Sequence, residues 1–144
     1  MSTERKVDPF AALVLVFSII ALILMVTQYF GALWYTGYGR RYSCLTCDYA
    51  TTVDLAAQII TILAFIFQII IVLNDLVPKR FIQKDLTTIG LFCAVMTILM
   101  MIIGYTGFML TYWEFDTWPE VGFYAGIICG IINTIMFFLK YKNK

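Results

Sequence analysis

Hydrophobic positions along the chain fall into four long runs, 10–33, 53–77, 86–112 and 121–139, broken by short polar stretches. None alternates with period two, and none confines its apolar residues to one helical stripe, so each reads as a helix that is hydrophobic all round. A helix needs about 20 residues, at about 1.5 Å each, to cross about 30 Å of hydrocarbon, and each run is long enough. The pattern predicts an all-α, integral membrane four-helix bundle as a single domain, with connections 34–52, 78–85 and 113–120. Pro78 ends the second run, and Pro119 stands just before the fourth, where a missing amide proton costs little. The first run is expected to be a retained helix rather than a cleaved leader, because no small-x-small cleavage site precedes Trp34.

Composition narrows the class further. A chain of 144 residues that is 62% hydrophobic and 13% charged carries more apolar surface than a soluble domain of this size can bury. Charge sets the orientation. Arg5, Lys6, Lys79, Arg80, Lys84, Lys140, Lys142 and Lys144 fall on one side of the four runs, against only Arg40 and Arg41 on the other. Asp48, Glu114, Asp116 and Glu120 add acid to that second side. The bias of basic residues toward the cytosol predicts both termini inside and connections 34–52 and 113–120 outside, in the plasma membrane. The inner lysines are expected to meet anionic lipid headgroups. A net charge of +1 with no basic face excludes nucleic acid as a partner.

Within the runs, small and amide residues stand out. Gly122, Gly126 and Gly130 recur every four residues on one face, with Asn133 about one turn on. Such a seam lets another helix approach closely, either inside the bundle or on a partner chain. Gln28, Gln58, Gln68 and Asn74 are expected to hydrogen-bond between helices, each bond worth about 0.6 to 2 kcal/mol in a membrane. Asp54 and Asp75 lie near helix ends. There they are expected to reach water and to act as caps, or as partners for Arg40, Arg41 or Lys79. No histidine, interior acid or basic residue sits at mid-depth, so proton relays and ion-coupled transport have little to work with.

The stretch 40–49, RRYSCLTCDY, gathers the remaining chemistry. Cys44 and Cys47 form a C-x-x-C, a spacing that suits either thiol exchange or a tight disulfide turn. Zinc needs further ligands, which a chain without histidine lacks here, so no metal is expected. Outside the cell the pair should oxidise. Trp34, Arg40, Arg41, Asp48, Trp113 and Trp118 are the candidate contacts of the outer connections. The missing histidine also removes the commonest general base, and there is no phosphate-binding glycine loop.

Two families share parts of this pattern. Gly31-Ala32-Leu33-Trp34 followed by two cysteines resembles a reduced claudin-type signature, and the glycine-rich last run is similar to tetraspans of the MARVEL kind. That resemblance implies a disulfide between Cys44 and Cys47, an anchoring role for Trp34, and lateral work as a junction scaffold or auxiliary subunit. Claudin loops are about twice as long, form a small sheet and space their cysteines more widely. Trp34, nine residues, then Cys44-Leu45-Thr46-Cys47 also resembles the first outer loop of bacterial quinone-linked thiol oxidases, over about 20 residues. That second resemblance implies catalytic Cys44 and Cys47 with a quinone cofactor. Its relay needs a second cysteine pair in the next outer loop, and 113–120 has no cysteine. The expectation is therefore a non-enzymatic tetraspan without cofactor, partnered by lipids and by another membrane protein or its own copies. The alternative is a quinone-linked oxidoreductase.

Overall fold

The computed structural model describes residues 7–35 and 39–143, with backbone alone at 35 and 39–42. Four helices carry most of it: α1 Pro9–Thr27, α2 Thr52–Leu76, α3 Thr87–Thr111 and α4 Val121–Lys142. All four are long and apolar enough to cross a membrane. Their starts follow local chemistry. Asp8 caps α1 by accepting from the Phe10 amide at 3.0 Å, with Pro9 in the first turn. Thr51 caps α2 by accepting from the Asp54 amide at 3.1 Å. Asp85 accepts from both the amide and the hydroxyl of Thr87 and so secures the start of α3.

Each helix packs on its sequence neighbours, and α4 closes the ring against α1. Asp8 and Lys140 meet at 2.7 Å, which puts the start of α1 and the end of α4 at the same end of the bundle. Two apolar clusters fill the interior. Ala11, Val14, Ile71, Val72, Ala94 and Phe137 form the one nearer the chain termini. Ala21, Met25, Phe30, Phe65, Met101 and Cys129 form the other. Between them lies a polar layer in which the Asn133 amide nitrogen donates to Ser18 Oγ at 2.9 Å and to Gln68 Oε1 at 2.8 Å. The outward faces are as apolar as the core, with Ile23, Phe67, Phe92 and Leu110 each more than half exposed.

The all-α expectation needs correction at the other end, where the two longer connections build a sheet. Strands β1 Gly31–Tyr35, β2 Gly39–Ser43 and β3 Asp116–Pro119 lie in the order β2-β1-β3. Both pairings are antiparallel, with Gly31 opposite Ser43 on one side and Pro119 on the other. The first helix accordingly ends at Thr27 rather than at 33. From Gly31 onward the backbone groups go to two strands instead of to a further helical turn, a tertiary pairing that overrides the apolar run. At Gly31 an added Cβ would stand 3.0 Å from the Phe108 ring, so a larger residue there would have to press the ring aside where the sheet sits on α3. The fourth helix extends past 139 to Lys142, because Lys140 finds partners across the bundle.

Candidate functional site

The sheet end gathers most of the candidate residues. Cys44 and Cys47 are joined as a disulfide with their Cα atoms 5.0 Å apart, and a backbone bond from Cys47 N to Cys44 O closes the same turn. The staple acts on the residue just before it. Ser43 Oγ donates to Asp54 Oδ2 at 2.5 Å, and both side chains are fully buried. Strand β2 is thereby tied to the first turn of α2. The Phe30 amide donates to the Ser43 carbonyl at 2.9 Å, and Glu120 N donates to Phe30 O at 3.0 Å. One short lattice of bonds thus joins the end of α1, the disulfide turn and the start of α4.

A second tie crosses from α3. The Tyr112 hydroxyl donates to the Tyr49 carbonyl at 2.8 Å, two residues past the disulfide. Burial first, then the nearby Asp54 carboxylate and Tyr49, push the Tyr112 hydroxyl up, so it stays protonated as the donor. Beside the turn, Val26, Thr27, Gln28, Tyr29, Cys44, Leu45 and Thr46 line a recess of about 280 Å³.

The aromatic candidates are differently placed. Trp34 is 46% exposed and Trp113 73% exposed. Trp118 is half-buried and donates from Nε1 to Glu120 Oε1 at 2.7 Å. Asp48 is exposed on the disulfide turn. Arg40 and Arg41 lie in β2, and their side chains fall outside the described residues.

The glycine seam of α4 points into the bundle. A Cβ on Gly122 would stand 3.0 Å from the Tyr29 carbonyl oxygen, one on Gly126 2.5 Å from Met101 Sδ, and one on Gly130 would collide with the Thr97 hydroxyl. Asn133 continues that inward face in the polar layer. α3 carries close approaches that show no spacing pattern in the sequence. Gly104 leaves room for Ala57, whose Cβ would be 2.6 Å from an added one, while Gly90 accepts the Phe137 ring.

Asp54 and Asp75 do not reach water as expected, since they are 0% and 7% exposed. Asp54 is partnered by Ser43. Asp75 pairs with Lys140 at 2.5 Å and with Arg80 at 3.3 Å rather than with Lys79. Lys140 also holds Asp8, so one ammonium links the ends of α1, α2 and α4. Sequence reasoning missed Lys140 and Ser43, because neither motif nor spacing marks their partners. Asn74 also departs from expectation. It exchanges two bonds with the Ile82 backbone, at 2.9 and 3.0 Å, and folds the connection of its own hairpin instead of bridging helices. Gln28 caps the end of α1 instead of lying within it.

Among the described residues no group of acidic or cysteine side chains could hold a metal ion. Cys93 and Cys129 are free thiols within α3 and α4. No family model, curated protein or solved structure matches the chain.

Proposed function

We propose that the chain is a four-span membrane protein that works by lateral contact, as a scaffold or as an auxiliary subunit of a larger membrane complex. The sheet carries this reading. A claudin-type tetraspan is distinguished by a small sheet over a four-helix bundle, and here both connections on one side contribute strands, with the disulfide bracing the turn that follows β2. Exposed Trp34 and Trp113 give that end contact groups suited to an interface or to the headgroup level. In the proposed orientation the termini and the Lys140 cluster face the cytosol, the sheet faces outward, and the membrane is the plasma membrane.

One observation favours a second reading, a thiol oxidoreductase using a quinone. A recess of about 280 Å³ lies beside Cys44, next to the disulfide. Against it, the described residues place no second cysteine pair near the turn.

Alkylation separates the two. A static staple leaves Cys44 and Cys47 unlabelled until reductant is added, and Cys44→Ser with Cys47→Ser lowers the amount of protein reaching the membrane. A catalytic pair instead yields a mixed disulfide with a partner when Cys47 alone is replaced, together with reduction of a bound quinone by added dithiol. That outcome would overturn the lateral-contact reading.

A further inference from the structure

The buried seam of α2 is unlike the rest of the helix. Positions at alternating steps of four and three residues carry Asp54, Gln58, Thr61, Gln68 and Asp75, with Phe65 and Val72 filling the two remaining steps. All of them are buried. At about 1.5 Å per residue the seam runs about 30 Å, the thickness of a hydrocarbon layer, with a carboxylate at each end. The other helices add hydroxyls and an amide along it: Ser18 from α1, Thr97 from α3 and Asn133 from α4.

Polar residues inside membrane bundles usually serve to bond helices together. A bonding role accounts for the Asn133 contacts with Ser18 and Gln68. It leaves over Asp54 Oδ1, Gln58 Nε2, Gln68 Nε2 and Asn133 Oδ1, each buried and without a partner. Such groups are costly in a low-dielectric interior, and water is the ligand whose chemistry meets both the surplus donors and the surplus acceptors. Between the polar positions stand two apolar layers, Phe65 with Met101 and Met25, and Val72 with Val14 and Phe137. Apolar constrictions of this kind close a water file by excluding water.

We propose that the α2 seam is a path for protons across the bundle, carried by water at the polar layers and closed in this structure by the Phe65 and Val72 layers. The proton is the solute that fits. It moves along hydrogen-bonded water and hydroxyls without needing a wide lumen, whereas a metal cation needs room for its hydration shell or a ring of ligands in its place, and the charges of Lys140 and Arg80 are balanced by Asp8 and Asp75 at one mouth. Protons enter and leave as such, and no bond other than O–H is made or broken. The inference is separate from lateral contact and rests only on the spanning part of the proposed function.

The test uses the full chain in liposomes holding a pH-sensitive dye, with a potassium gradient and valinomycin driving proton entry. Flotation after alkaline extraction is scored first, and a chain that does not float overturns both the spanning reading and the path. In floating samples, Phe65→Ala with Val72→Ala raises proton flux about tenfold over wild type by removing the apolar layers. Adding Gln68→Leu and Asn133→Leu returns the flux to that of protein-free vesicles, and the milder Ser18→Ala lowers it in the same direction. Phe67→Ala, on the outward face, leaves it unchanged. A floating Phe65→Ala, Val72→Ala protein with an intact Cys44–Cys47 bridge and no flux overturns the path. So does a flux indifferent to Gln68, Asn133 and Ser18, or one equally fast for sodium.

Discussion

Ser43 Oγ lies 2.5 Å from Asp54 Oδ2, and this bond fastens the strand that leads into the disulfide to the buried start of α2. Removing the hydroxyl leaves a carboxylate oxygen buried without a donor. Ser43→Ala is expected to cost about 1 to 3 kcal/mol, the usual penalty for orphaning a buried group, read as a lower unfolding temperature in detergent. Asp54→Asn on top of Ser43→Ala should cost less than the sum of the two single changes, because both act on one bond. Strict additivity would show that the contact does not hold the sheet end together.

At the opposite end Lys140 pairs with both Asp75 and Asp8, and Arg80 supplies the second positive charge. Lys140→Met leaves the Asp75 carboxylate, 7% exposed, with Arg80 as its remaining partner, and is expected to destabilise the bundle by about 1 to 3 kcal/mol. Replacing Asp75 by Asn in the same chain should recover part of that loss. An unfolding temperature unmoved by Lys140→Met would mean that the cluster is incidental.

Asp8 gives a pH signature. Burial pushes its carboxyl up, but the hydrogen bond and charge of Lys140, with the amides of Phe10 and Ala11, outweigh that and hold it below the ordinary value of 3.8. A lowered carboxylate adds stability that is fully present above its unfolded value and is lost as pH falls through the folded one. Asp8→Asn should therefore flatten the stability profile below about pH 4, and lower the unfolding temperature uniformly at neutral pH. An unchanged acid limb would contradict the Lys140 contact.

Gly104 and Gly126 both admit a neighbour closely, yet they should respond differently to alanine. The atom facing Gly104 is the Ala57 Cβ, fixed to the α2 backbone, so Gly104→Ala must push α3 from α2, at about 1 to 3 kcal/mol. Facing Gly126 is the thioether of Met101, which can change rotamer, and Gly126→Ala should be better tolerated. Comparing their unfolding temperatures checks this. A costlier Gly126→Ala would mean that Met101 is locked in place.

The four helices are legible because a span needs about 20 apolar residues, a requirement each run meets locally. The sheet is not legible for the opposite reason. Strand β1 begins inside the apolar run that contains α1, and its partners lie 4 to 12 residues away in β2 and more than eighty away in β3. Nothing local distinguishes Gly31-Ala32-Leu33 from a last helical turn. The partners of Asp54 and Asp75 were hidden likewise. Ser43 reaches Asp54 only once β2 is in register, and Lys140 reaches Asp75 only when α4 closes on the bundle. The four-residue glycine spacing on α4 announced a close approach, but its direction follows from what Tyr29, Met101 and Thr97 place against it.

Lateral contact is tested most directly by the mass of the particle extracted from its own membrane in mild detergent. Lateral contact requires a particle heavier than one 16.5 kDa chain, holding further copies or a second membrane protein. Trp34→Ala with Trp113→Ala should reduce it to single chains without breaking the Cys44–Cys47 bridge. A wild-type monomer that carries quinone and cycles its disulfide with added dithiol would overturn lateral contact as the function.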